Sequence, residues 1–412
     1  MPDRGLPAGC GGCGCVCDDV RVAGASISPA CAPGAAWFSQ RLEPALPPSR
    51  IDGREADPEA ALDAAAGILA QADAPLVYGL ARTSVEAARS AVGLADRLGA
   101  LVEPAGAVRD GAGGRAVALR GASTATLGEI RDRAATVVVW REDPLTTHPR
   151  LLERLRLDEA QRGARRLVVV DDRETATARS ASLHLRVPAT GDLDALLALR
   201  AAARGLPARA VGALTAQAAR RLVDELRGAQ NAALLHGSGL AAQPGGHRRV
   251  LALHELVRDL SDTCHLVTLA LRRDANAAGA EDVLTWQTGF PSAVDLASGA
   301  PRSFPGPTSA ATRLRAGEVD AVLSVAGDPV VELGGVPAGV PIVALDAVET
   351  ATTRAARVVF GTAAVGIGAA GTVHRLDGVP VALHAVAAQA RPGDDELLRA
   401  LAARLGGEAQ GC

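Results

Sequence analysis

Short aliphatic runs alternate with amphipathic stretches along most of the chain. PLVYGL (75–80), ATVVVW (135–140), RRLVVVDD (165–172), AALLHGSGL (232–240), DAVLSVAGDP (320–329) and PIVALD (341–346) are apolar without a period of two. Such runs predict strands covered on both faces. Between them lie stretches of helical period: DPEAALDAAAGILAQA (57–72), SVEAARSAVGLADRLG (84–99), LTAQAARRLVDEL (214–226) and residues 248–260. Asp57 is placed as an N-cap, with Pro58 at the first helical position. Strands alternating with helices predict an α/β chain with parallel sheets. Residues 1–50 differ, being rich in Cys, Gly and Pro, with one alternating run, DDVRVAGASIS (18–28), that predicts a hairpin.

The second half partly repeats the first. The sequence D-x-x-E-T-A-T-x-R-x-A begins at Asp171 and again at Asp346, and each copy follows a strand that follows a strand ending in Asp-Pro, Asp143-Pro144 and Asp328-Pro329. A duplicated, Rossmann-like α/β unit is expected. The expected organisation is a Cys-rich lobe over 1–50, a first α/β unit over 51–205 and a second over 206–412. An Asp closing a parallel strand stands where open sheets bind ligands. Asp171 and Asp346 suit a ribose hydroxyl or a purine N–H, and Thr175 and Thr350 suit phosphate oxygens. The alternative is that these residues cap the next helix or turn.

Composition narrows the partners. The 412 residues are 48% hydrophobic but only 2% aromatic, so the cores are aliphatic, and all 43 basic residues are arginine. A net charge of −3 argues against a nucleic-acid partner. No run is long and apolar enough to span a membrane, and the N-terminus lacks a signal-peptide layout, so a cytoplasmic location is expected. There, clustered thiols hold metal more readily than they form disulfides. CGGCGCVCDD (10–19) puts four cysteines in eight positions. Cys10, Cys13 and Cys17 with Cys31 can hold a [4Fe–4S] cluster or zinc, or form a relic loop of thiols. Cys15 either replaces one of these ligands or is incidental; Cys264 and Cys412 read as incidental. His148 is either a contact for a phosphate or polar arm, or a hydrogen-bonded loop histidine. Trp140 and Trp286 read as core or interface anchors. GTAAVGIGAAGT (361–372) precedes a strand-like run and not a helix, which rules out a dinucleotide fingerprint. There is no Ser-His-Asp order, H-E-x-x-H or G-x-x-x-x-G-K-[ST].

RRLVVVDDRETATARSASLHLRVPATGDLDALLAL (165–199) resembles the nucleotide-anchoring segment of the molybdenum/tungsten bis-pterin oxidoreductases, the superfamily of formate dehydrogenase and nitrate reductase. That resemblance assigns Asp171, Thr175, Gly191 and Asp192, with Asp346 and Thr350 of the second copy, to cofactor binding. It assigns Cys10, Cys13, Cys17 and Cys31 to a [4Fe–4S] cluster. Three further segments, 126–150, 284–306 and 356–381, resemble the B subunit of formylmethanofuran dehydrogenase and its relative in the formyltransferase/hydrolase complex of methylotrophs. The resemblance runs from residue 10 to about 385, and it implies a molybdopterin oxidoreductase-like fold lacking the superfamily's carboxy-terminal β-barrel.

One part of the pattern is missing. Where the redox-active family carries V-C-H-G-P before T-L-G-E, this chain reads AGAVRDGAGG, with Arg109 at the metal-binding cysteine and Asp110 at the histidine. A guanidinium has no lone pair to offer a metal. The family's M-R-G-H-Y-N is altered to LRRDANAAG (271–279). The resemblance therefore implies a one-carbon complex in which this chain is a scaffold without a Mo/W bis-pterin centre. Its partners would be formyltransferase, amidohydrolase and barrel-type subunits, and methanofuran. The rivals are an active Mo/W enzyme with an unusual ligand, and an iron–sulfur electron-transfer subunit.

Overall fold

The computed structural model describes residues 5–241 and 245–406, with the side chains of 107–112 excepted. It divides into two units, one formed by Val108–Arg273 and the other by the flanking stretches Met1–Ala107 and Asp274–Cys412. The boundaries expected at 50 and 205 do not follow this division. Strands on either side of residue 205 share one sheet, and strands near residues 75 and 342 share the other. Local pattern shows that strands exist. It cannot show which distant strands pair, because parallel neighbours are joined by long crossovers.

In the Val108–Arg273 unit, five strands form a wholly parallel sheet in the order Leu183–Arg186, Arg166–Asp171, Thr136–Trp140, Asn231–His236, His265–Ala270. Val138, Val168, Val170 and Leu234 pack against the helices Asp192–Ala203, Ala216–Gly228 and Gly246–Leu260. The Ala216–Gly228 helix buries Ala219, Leu222, Val223 and Leu226, an i, i+3, i+4, i+7 stripe. Each fully buried Leu there contributes roughly 2 kcal/mol.

The flanking unit holds a nine-stranded sheet whose centre is also five parallel strands. Their order is Val358–Gly361, Ile342–Asp346, Ala321–Val325, Pro75–Gly79, Leu101–Pro104. Match the strand ending at Asp346 to the one ending at Asp171, and the two orders coincide strand for strand. The chain order is permuted: Pro75–Gly79 and Leu101–Pro104 precede the other three parallel strands of their sheet, whereas their counterparts Asn231–His236 and His265–Ala270 follow theirs. The duplication is thus a property of complete sheets.

The cysteine segment belongs to the flanking unit. Strands Leu6–Ala8, Val20–Ala23 and Ser26–Ser28 pair antiparallel around it, as the alternating run predicts. The helix Ala32–Ser39 follows. The hairpin Gly371–His374/Pro380–Leu383 covers it, with Leu376 donating to the Gly14 carbonyl at 2.9 Å. The glycine-rich stretch 361–372 thus leads into a strand. Among the described residues no helix is long and apolar enough to cross a membrane.

Candidate functional site

The Val108–Arg273 sheet reverses its strand order between Thr136–Trp140 and Asn231–His236. Loops diverge at such a point and leave a crevice beyond the carboxyl ends. A cleft of about 540 Å³ lies there, lined by residues following three strands, among them Arg141, Asp143, Asp171, Thr175, Ser238 and Gly239. Two of the expected nucleotide residues, Asp171 and Thr175, therefore line one cleft.

A buried arginine meets this group. Arg141 stands at the end of its strand with φ +55°, a conformation that costs an L side chain roughly 1 kcal/mol or more. Its side chain is 5% exposed. Nε donates to both Asp192 oxygens at 2.9 Å, Nη1 to Asp172 at 2.9 Å and Nη2 to the Val187 carbonyl at 2.7 Å. Nη1 also lies 3.7 Å from Asp171. Asp192 accepts the Trp140 indole N–H as well, at 2.9 Å. Burial pushes Asp171 above the usual carboxylate range, opposed by the Arg173 N–H and by Arg141. Gly191 is buried where a Cβ would stand 2.7 Å from Val211.

The threonines of the repeat act as caps. Thr175 Oγ1 accepts from Ala178 N at 3.1 Å, and Thr350 Oγ1 from Thr353 N at 3.1 Å in a reciprocal capping box. Asp171 and Asp346 each accept from the amide two residues on, at 3.0 and 3.1 Å. These bonds match the capping alternative. Asp171 and Thr175 belong to the Val108–Arg273 unit, Asp346 and Thr350 to the flanking one.

The flanking copy differs at one decisive place. Ala326 occupies the position of Arg141, again with positive φ (+48°). Asp346, 6% exposed, has no cation at ion-pair distance among the described residues. Burial pushes it up to about 7; Asp394 adds to the rise, and Arg41 and Arg82 oppose it from further away. Asp394 is itself buried, accepting from Thr83 Oγ1 at 2.5 Å, while its Oδ1 has no hydrogen-bond partner among the described residues. Neither Arg141 nor Asp394 stands out in the sequence by motif. Setting the two repeats side by side would have exposed Arg141 opposite Ala326.

The cysteine loop gathers thiols. Cys10, Cys13, Cys15 and Cys17 are buried, and Cys31 precedes a helix as its N-cap residue. Burial drives the Cys10 thiol up to about 12. The Gly12 N–H, 3.4 Å from Cys10 Sγ, opposes this, and the charges of Cys17, Cys13 and Cys31 reinforce it. Gly34 keeps space between two of the thiols: a Cβ there would stand 3.1 Å from Cys10 Sγ and 3.5 Å from Cys31 Sγ. Among the described residues no three His, Cys, Asp or Glu side chains converge tightly enough for one metal ion. Zinc needs such convergence, with sulfurs about 2.3 Å from one centre. A four-iron cluster spreads its four ligands around a larger body, and an apolar pocket with an N–H directed at sulfur suits it.

Of the remaining expected residues, His148 is a buried, hydrogen-bonded loop histidine. Its Nε2 donates to the Arg272 carbonyl at 2.8 Å, its Nδ1 lies 2.9 Å from the Thr147 hydroxyl, and burial lowers its pKa. Trp140 is a core residue, whereas Trp286 is 62% exposed. Cys264 is buried just before the His265–Ala270 strand. The Arg109 and Asp110 side chains and Cys412 lie outside the described residues.

Two parallel sheets of one strand order, each with an Asp-Pro loop facing an Asp-x-x-Glu-Thr loop, define an α/β fold that known structures share. The formyltransferase/hydrolase complex (FhcABCD) from Methylorubrum extorquens, in complex with methylofuran, contains a chain that matches with a TM-score of 0.70 at 24% identity, covering 87% of this chain and 98% of that one. Acetylene hydratase from Pelobacter acetylenicus matches with a TM-score of 0.66 at 13% identity, over 92% of this chain and 64% of that one. No family model matches. In sequence, the chain is 33% identical over 401 residues to the B subunit of the tungsten-containing formylmethanofuran dehydrogenase 2 of Methanocaldococcus jannaschii, covering 92% of each. It is 31% identical over 418 residues to the corresponding B subunit from Methanococcus maripaludis, covering 95% of this chain and 96% of that one. The B subunit of the formyltransferase/hydrolase complex Fhc of Methylorubrum extorquens is 28% identical over 287 residues, 68% of this chain and 74% of the other. The chain belongs to the family of formylmethanofuran dehydrogenase B subunits.

Proposed function

We propose that the chain is the B subunit of a formylmethanofuran dehydrogenase-type complex in one-carbon metabolism, handling formyl-methanofuran and formate. Within it the chain is a scaffold of the formyltransferase/hydrolase kind, with no Mo/W redox centre of its own. Formyltransferase, amidohydrolase and barrel-type subunits are its partners, methanofuran is the carrier that the assembly serves, and the cytoplasm is its location. The observation that carries this reading is Arg109 at the position of the family's metal-binding cysteine. A permanently cationic guanidinium cannot ligate a high-valent metal. The thiols of Cys10, Cys13, Cys17 and Cys31 would hold a [4Fe–4S] cluster, which when bound supplies one-electron transfer; the protein's part is to bury and space them.

A second reading is an active tungsten enzyme, favoured by the nearly full-length identity to the B subunits of two tungsten-containing dehydrogenases. Metal content by inductively coupled plasma mass spectrometry, on protein purified without oxygen, separates the two. About four irons per chain without molybdenum or tungsten is the expected result. One molybdenum or tungsten per chain overturns the scaffold reading. No metal at all leaves the scaffold and makes the cysteine loop a remnant.

A further inference from the structure

Arg141 is a costly residue in its position. The backbone there turns left-handed in both copies of the repeat, at Arg141 and at Ala326. Glycine meets that demand at least cost, and a small residue serves in the second copy. A long cationic side chain in a left-handed turn persists only where its surroundings hold it. Four hydrogen bonds hold it here, three to Asp172 and Asp192 and one to the Val187 carbonyl, with Asp171 at 3.7 Å.

Of these groups Arg141 and Asp171 line the cleft, and this bears on what it can take. A guanine or pterin ring presents adjacent parallel N–H groups on one edge, the pattern a carboxylate accepts in pairs. A guanidinium presents the same array. Asp171 and Asp192 are the carboxylates expected to read a nucleotide, and the protein's own guanidinium already faces them.

We propose that Arg141 is a built-in occupant of the base-recognition end of this cleft, taking the carboxylates that an amidine-edged base would need. The Asp171 copy of the repeat is thereby closed to guanine and pterin nucleotides. The Asp346 copy of the repeat has Ala326 in that place, and among the described residues its carboxylate has no cation at ion-pair distance. This asymmetry comes from one residue, and it holds whatever metal the cysteine lobe carries.

The test uses the full-length protein and guanosine 5′-monophosphate at millimolar concentration. Hydrogen exchange followed by mass spectrometry reads the amides of residues 171–175. In the wild type they stay unprotected by the nucleotide; protection there overturns the proposal. In Arg141→Gly the same amides become protected, and calorimetric stoichiometry rises by one nucleotide per chain. A folded Arg141→Gly protein that takes up no more nucleotide than the wild type also overturns it. Should that variant fail to fold, the wild-type exchange measurement still decides. Because metal content plays no part here, failure of this inference and failure of the scaffold reading are separate results.

Discussion

The Asp143 carboxylate holds Thr177 by two bonds to one oxygen, accepting the backbone N–H at 2.9 Å and the hydroxyl at 2.5 Å. Asp328 holds Thr352 in the same way, at 3.0 and 2.6 Å. In each copy the threonine hydroxyl also accepts from the amide two residues beyond the aspartate, Leu145 at 3.1 Å and Val330 at 3.2 Å. The Asp-Pro turn and the Asp-x-x-Glu-Thr loop are therefore one device, used twice.

Thr177→Val keeps the shape of this fully buried residue but removes both hydroxyl bonds, leaving the Leu145 amide unpaired. The expected cost is about 2 kcal/mol. Thr352→Val should cost about the same in the other unit. Urea denaturation checks both through the midpoint of the unit concerned. A loss well below 1 kcal/mol at either site would mean that the staple is ornamental there.

Much of this device was legible in the sequence. The repeat pointed to Asp143, Asp171, Asp328 and Asp346, and the strands at 75–79, 136–140, 166–171, 321–325 and 342–346 stand where unbroken aliphatic runs put them. Local signals also placed Asp57 as the cap of the helix Pro58–Ala70. The division into units was not legible, because nothing in residues 107–108 or 273–274 marks the insertion of one sheet between two strands of another. Arg141 was not legible as a salt-bridge centre for a related reason. Asp171, Asp172 and Asp192 reach it from other elements, and only the folded sheet brings them together.

The cysteine lobe yields a prediction that separates its thiols. Cys17, Cys13 and Cys31 act on Cys10, and Cys15 is not one of the four residues that the resemblance assigns to a cluster. Cys15→Ser should leave the iron content of anaerobically purified protein unchanged, while Cys10→Ser should lower it sharply. Gly34→Ala should also lower it, because the added methyl would stand 3.1 Å from Cys10 Sγ. Equal iron loss in Cys15→Ser and Cys10→Ser would place Cys15 among the ligands.

Asp346 gives the flanking unit a pH dependence whose sign follows from its burial. Its pKa rises from an ordinary 3.8 to about 7 on folding. Between about pH 4 and pH 7 the unfolded chain has released this proton while the folded chain keeps it, so stability falls as pH rises through that window and levels off above it. Glu103, buried and likewise pushed up to about 7, adds to the same slope. Asp346→Asn removes the Asp346 share and can keep an oxygen facing the Val348 amide. The variant should therefore gain stability over the wild type at pH 8, by roughly 2–4 kcal/mol at most, and by less than half as much at pH 5. Denaturation midpoints at the two pH values measure it. An Asp346→Asn protein with the wild-type slope would show that Asp346 is already ionised when folded, with Arg41 and Arg82 neutralising it more strongly than their distance suggests.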